Sequence, residues 1–189
     1  ASNKDQYSFK AADGELDYYF IYGPTFPSIL DRYTSITGKS PMLPQFALGL
    51  HAGTYSGGTW GHEEKTSDRY VVELARKYRE LGIPVDLLWL DSTWRLFGEI
   101  GGKGATSFEW RETFKDPKGM FDSIYAMNYK MVGLHLRPRF DNAKKLNLLD
   151  QAREKGYTYP ENGKPGEFVN FFDEKATQWW WETGVMRVA

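Results

Sequence analysis

The 189-residue chain contains no cysteine. Disulfides, cysteine-ligated zinc and thiol catalysis are excluded, while the compartment stays open, because cysteine-free proteins work in reducing and oxidising surroundings alike. Long apolar runs are also missing. None reaches the length that spans a bilayer, and Ala1 to Gln6 lack the apolar stretch of a secretion signal, so the sequence reads as soluble. A basic field is absent: 24 Lys+Arg against 25 Asp+Glu give a formal net charge of −1. With no Lys/Arg run to make a local patch, nucleic acid is not an expected partner. Histidine is scarce. The three residues are scattered and His62-Glu63 does not begin an H-E-x-x-H helix, so no metal is expected and no cofactor is implied.

What the chain has in excess is aromatic rings. Seven Trp, twelve Tyr and twelve Phe make up 16%, which suits a protein whose rings stack on sugar faces, although a large packed core also consumes aromatics. The stretch Gly82 to Trp94 organises the rest. Val85 to Leu90 is almost entirely apolar, as a strand buried on both faces of a parallel sheet is, and Asp91 then interrupts the run. A carboxylate at the C-terminal end of such a strand sits where α/β enzymes place groups that touch substrate. The alternative for Asp91 is a turn cap that accepts backbone N–H bonds.

Taken in order, Tyr7–Phe9 and Leu16–Tyr22 read as strands around an Asp13-Gly14 turn. Ser28 is placed to cap a helix over Ile29–Ile36 that stops at Gly38, and Pro41 and Pro44 stiffen a connector. A domain boundary is expected there, dividing 1–44 from 45–189. Phe46–Leu50 predicts a strand, followed by a glycine-rich loop over 53–66. Asp68–Leu81 predicts a helix with Val71, Leu74, Ala75, Tyr78 and Leu81 in one stripe, a Glu73–Lys77 pair and Gly82 as its stop. Beyond β-like Val85–Leu90, Asp116-Pro117 starts a helix that turns Met120, Ile124 and Met127 inward. Met131–Leu136 predicts a third strand, Ala143–Lys155 a helix, Asn162-Gly163 a turn, Phe168–Phe171 a short extended piece, and Asp173 the cap of a last helix through Trp179 and Trp180. This βα alternation demands a parallel sheet. Three strands cannot close a barrel of eight strands and about 250 residues, so the chain is either a small open sheet or a piece of something larger.

The run Tyr33 to Gly49 resembles the passage Y-x-x-L-T-G-x-P-x-L-P-x-W-A-L-G of glycoside hydrolase family 31, the α-glucosidase and α-xylosidase family. In the same order, Ile83–Asp91 resembles its barrel strand 2, and Phe108-Glu109-Trp110 with Phe114-Lys115-Asp116-Pro117 resembles its F-x-W-D and F-P-D-P blocks. The resemblance implies an α/β fold, a partial (β/α)8 TIM barrel holding about strands 1–3 and their helices. The last strands and linker helix of a β-sandwich domain would precede it. It also implies a retaining α-glycosidase acting on terminal α-linked sugars, with two carboxylates about 5 Å apart. Both are aspartates from strands 4 and 6, expected beyond Ala189 in the rest of the parent chain. No catalytic residue is therefore assigned here, and the chain alone is expected to be inactive. By the same resemblance Asp91 grips hydroxyls of the carbohydrate substrate, Ser92, Thr93 and Trp94 line the pocket, and His135 and Tyr55 are further pocket candidates. For Trp94 a ring packed beneath the loop remains the alternative, and for His135 a backbone-satisfied histidine. Arg137 could meet an anionic sugar or snorkel to the surface.

Several positions depart from the family pattern. Arg111 stands where the family usually has Asp, Lys115 replaces Pro, and the loop after strand 1 is longer and richer in glycine. Glucose, xylose, galactose and modified sugars all stay open. Gly98 to Lys103 is one residue short of a phosphate loop, and Gly104 stands where Ser or Thr would hold magnesium. A noncatalytic carbohydrate-binding or scaffold module is the alternative to the hydrolase.

Overall fold

A computed structural model describes Asp5 and residues 7–53, 67–100 and 104–188. The chain divides into two units, Ala1–Met42 and Leu43–Ala189. In the first, Thr25 rather than Ser28 caps helix α1 (Phe26–Thr37), its hydroxyl accepting from the Ser28 N–H, while Pro27 occupies the first turn where no donor is needed. Gly38 ends the helix at φ 79°, and no residue of α1 is buried. The strands expected in 7–22 do not form, and Phe9, Leu16 and Phe20 are exposed. A strand exists only where another offers matching N–H and C=O groups, and among the described residues none pairs with this segment.

The second unit is built around a parallel sheet in the order β1-β2-β3. β1 covers Leu50–Gly53, β2 Val85–Leu90 and β3 Met131–Leu134. β2 has the expected bounds. The first strand is displaced: Pro44, at φ −62°, launches a 3-10 turn over Gln45–Leu48, and pairing starts only at Leu50. Gly49 is needed between them, because a Cβ there would stand 1.9 Å from a carboxylate oxygen of Asp86 on β2. β3 is two residues shorter than its apolar run. One cross-strand row reads Gly53, Trp89, Gly133. A Cβ on Gly133 would lie 2.2 Å from the Trp89 ring, and one on Gly53 2.7 Å from the Trp89 Cβ, so the indole occupies the space that Gly133 leaves open while Gly53 lets the two backbones approach.

Helix α2 (Asp68–Glu80) is capped by Ser67 and buries Val71 and Ala75, with Gly82 at φ 67° after it. The expected Glu73–Lys77 pair is not made: Glu73 meets Arg69 at 2.8 Å and Lys77 meets Glu80 at 3.4 Å, while Leu81 is exposed. Arg79 ties α2 to the sheet. Its guanidinium lies 3.8 Å over the Tyr129 ring and donates to the carbonyls of Met127 at 2.9 Å and Val85 at 2.8 Å. Asp116 caps α3 (Pro117–Ala126), which buries Met120 and Ile124 as its spacing demands.

The helix expected over Ala143–Lys155 shrinks to α4 (Leu148–Glu154). One Glu109 carboxylate oxygen accepts from the N–H groups of Lys145 at 3.0 Å and Leu146 at 2.8 Å, which holds that backbone out of helical form. The extended piece expected at Phe168–Phe171 is instead one arm of an antiparallel hairpin, β4 (Thr158–Glu161) and β5 (Lys164–Val169). Asn162 and Gly163 supply its two positive φ angles, 51° and 73°. Asp173 caps α5 (Glu174–Thr183). The core between sheet and helices is filled by Val85, Leu88, Trp94, Met120, Ile124 and Phe140, among others.

Candidate functional site

Parallel pairing brings the C-terminal ends of all three strands to one edge, and the register Leu90↔Leu134 sets the next two residues, Asp91 and His135, side by side. The His135 N–H donates to the Leu90 carbonyl at 2.9 Å. Asp91 is itself a cap. Its Oδ1 accepts from the Ser92 N–H and, at 2.9 Å, from the Ser92 hydroxyl, opening a 3-10 turn over Ser92–Trp94. His135 Nδ1 lies 3.6 Å from the same oxygen, beyond hydrogen-bond reach, and is buried without a partner. Burial lowers the His135 pKa, Asp91 pulls it up, and Arg137 and Arg95 push it down; the net direction is down. A neutral imidazole thus faces a carboxylate at neutral pH.

The sequence candidates separate into two groups. Asp91, Ser92 and His135 come together at the strand ends, each partly accessible. Thr93 and Trp94, expected to line a pocket, are buried instead. Trp94 is 1% exposed, packs edge-on to Trp110 at 4.9 Å and spends its indole N–H on the His135 carbonyl at 3.0 Å. It supports the site from beneath. Tyr55 lies outside the described residues. Arg137 is exposed, its backbone held by Thr106, whose Oγ1 accepts from the Arg137 N–H at 2.8 Å.

Sequence reasoning passed over Arg95, which is 1% exposed and donates to the carbonyls of Ala105 at 2.7 Å and Ser92 at 2.9 Å. Desolvation, and then Arg137, lowers its pKa to about 10 against the opposing pull of Asp141 and Asp91, so it stays charged at neutral pH. No local signal marks it, since an arginine in a loop reads as a surface residue. Asp141 is buried too and accepts from the N–H groups of Gly98 at 3.0 Å and Ile100 at 2.9 Å. Those amides serve the chain's own carboxylate, which removes the phosphate-loop reading for the described part of that segment. Among the described residues no cluster of three His, Cys, Asp or Glu could hold a metal, and no helix is long and apolar enough to cross a membrane.

The sequence profile of the glycosyl hydrolases family 31 TIM-barrel domain matches residues 40–188. The chain belongs to glycoside hydrolase family 31. Among its family 31 relatives, α-xylosidase XylQ of Lactiplantibacillus pentosus is 31% identical over 95% of this chain and 23% of that protein. α-Glucosidase 2 of Bacillus thermoamyloliquefaciens is 28% identical over 94% of this chain and 22% of its own length. The chain therefore spans less than a quarter of these two relatives. A crystal structure of the glucosidase II α subunit superposes with a TM-score of 0.64 at 26% identity, over 84% of this chain and 17% of that one. A Flavobacterium johnsoniae family 31 dextranase reaches the same TM-score, 0.64, at 22% identity over 88% of this chain and 20% of its own, which speaks for the fold alone. The three parallel strands with their crossover helices fit a partial (β/α)8 barrel of family 31.

Proposed function

We propose that this chain is the N-terminal part of the catalytic barrel in a retaining α-glycoside hydrolase that removes terminal α-linked sugars. On this reading residues 1–44 are the end of a preceding β-sandwich domain with its linker, and 45–189 carry the first barrel strands. The observation that carries it is Asp91, a carboxylate at the end of a parallel strand, beside His135 at the end of the next. Relatives bearing the names α-xylosidase and α-glucosidase favour an α-linked sugar. Because the chain spans 23% and 22% of those two, nucleophile and acid/base are assigned to the rest of the polypeptide.

Asp91, Ser92 and His135 then act as a binding group. A carboxylate accepts hydroxyl hydrogens through bonds about twice as strong as neutral ones, and neutral His135 can take part in a further hydroxyl bond. Distortion of the sugar toward the transition state tightens such contacts, so they contribute to rate as well as affinity. The test is Asp91→Asn in the full-length protein. Removing the charge loses about 1.5–3 kcal/mol per charged bond, one to two decades in kcat/KM for each, with kcat partly affected. Both limbs of the pH profile should persist, because the titrating pair lies elsewhere. An Asp91→Asn enzyme within a factor of about two of the parent on every α-glycoside would leave Asp91 a loop cap. Abolished turnover restored by azide would make it a nucleophile. Oligosaccharide binding with no turnover by the intact parent would favour a sugar-binding module.

A further inference from the structure

Arg95 is costly where it stands. A buried guanidinium loses its hydration, and among the described residues it has gained two carbonyl oxygens and the Phe97 ring at 5.6 Å in return rather than an ion pair. One carbonyl belongs to the site and the other to the stretch that braces the residues after β3. Ser92 is the residue whose N–H and hydroxyl both hold Asp91 Oδ1. Ala105 precedes Thr106, whose N–H donates to the Arg139 carbonyl at 2.7 Å and whose hydroxyl bonds the Arg137 carbonyl at 3.1 Å. Arg137 lies two residues beyond His135.

We propose, resting on the sugar-binding reading above, that Arg95 is a positioning residue: its planar fork fastens the turn after β2 to Ala105, whose neighbour Thr106 is bonded to Arg137 and Arg139 after β3, and so presets Asp91 and His135 for substrate. The fork is what the task requires, since Nε and Nη1 point at two carbonyls in fixed relation, which an ammonium cannot reproduce. The charge has a second use. Asp91, Arg137 and Arg95 are the charged groups acting on His135, and the two arginines oppose its protonation. An imidazolium 3.6 Å from Asp91 Oδ1 would pair with that carboxylate and withdraw it from a sugar hydroxyl. Burial does most to keep His135 neutral, and Arg137 and then Arg95 add to it, so Arg95 fixes the pair geometrically and contributes to leaving Asp91 open.

The test uses Arg95→Met and Arg95→Lys in the full-length protein, with circular dichroism to check folding. Each is read by KM and kcat on an aryl α-glycoside and by the NMR titration of His135. Arg95→Met should raise KM about tenfold or more with a smaller change in kcat, and move the His135 midpoint upward. Arg95→Lys should keep the titration near that of the parent while still raising KM, because charge remains and the fork is lost. A folded Arg95→Met with unchanged KM and an unchanged titration overturns the assignment, as does loss of fold in both variants, which would make Arg95 purely structural. Asp91→Asn separates the two failures. If it lowers kcat/KM while Arg95→Met does not, only the role of Arg95 falls; if Asp91→Asn is silent, the sugar-binding reading falls with it.

Discussion

Replacing Trp94 by Phe asks how firmly the strand ends are held from below. Phenylalanine keeps a ring against Trp110 but removes the donor that reaches the His135 carbonyl at 3.0 Å. Leaving that carbonyl without its partner costs about 1–2 kcal/mol, the lower part of the usual range because His135 is only half-buried. The two ring carbons lost from a side chain that is 1% exposed add about 0.8 kcal/mol each. The total is about 3 kcal/mol, or roughly two decades in the local opening equilibrium. Hydrogen exchange read by mass spectrometry on peptides spanning 91–96 and 131–137 of the full-length protein reports that opening directly. Trp181→Phe is the control, since Trp181 is 49% exposed on α5. Exchange in those peptides should accelerate strongly for Trp94→Phe and hardly at all for Trp181→Phe. Equal rates in the two variants would refute the reasoning.

Arg79→Leu removes three charge-assisted bonds to carbonyls, the one to Ile83 long at 3.4 Å, and a cation over Tyr129, and should lower stability by about 2–4 kcal/mol in a urea titration that follows this unit. Arg79→Lys should recover only part, because one ammonium does not span the three carbonyls. The pH dependence follows from His135, whose folded pKa is depressed by burial. The unfolded chain then binds the proton first, so this contribution to stability is full above the unfolded value, about 6.5, and is lost as pH falls through the folded one. Melting between about pH 8 and pH 5 should show that slope, and His135→Gln should flatten it.

What could be read from the sequence was what neighbours in sequence decide. Val85–Leu90 announces a strand by its own apolar residues, and Asp116 and Asp173 cap the helices that directly follow them. Features decided by distant partners were hidden. The shortened α4 depends on Glu109, 36 residues before Lys145, and the glycine at 49 that opens β1 answers to Asp86 on β2. Pro160 and Pro165 disguised a hairpin in which they sit opposite each other. At the site, Asp91 and His135 could be named because strand ends are predictable positions. That Trp94 and Arg95 point inward could not, since tryptophan and arginine both serve equally on surfaces and beneath them.

Within the row of Gly53, Trp89 and Gly133, the last two positions form one unit of inheritance. A methyl group at Gly133 is admissible only after the indole has shrunk, whereas one at Gly53 meets the Trp89 Cβ and stays excluded whatever side chain stands at 89. Drift at Trp89 and Gly133 must therefore be concerted: a lineage that gives up the tryptophan must alter a neighbouring strand at nearly the same time or pass through a weakened ancestor. Coupled substitution between β2 and β3, beside an unchanging glycine on β1, is the trace this layer would leave in its descendants.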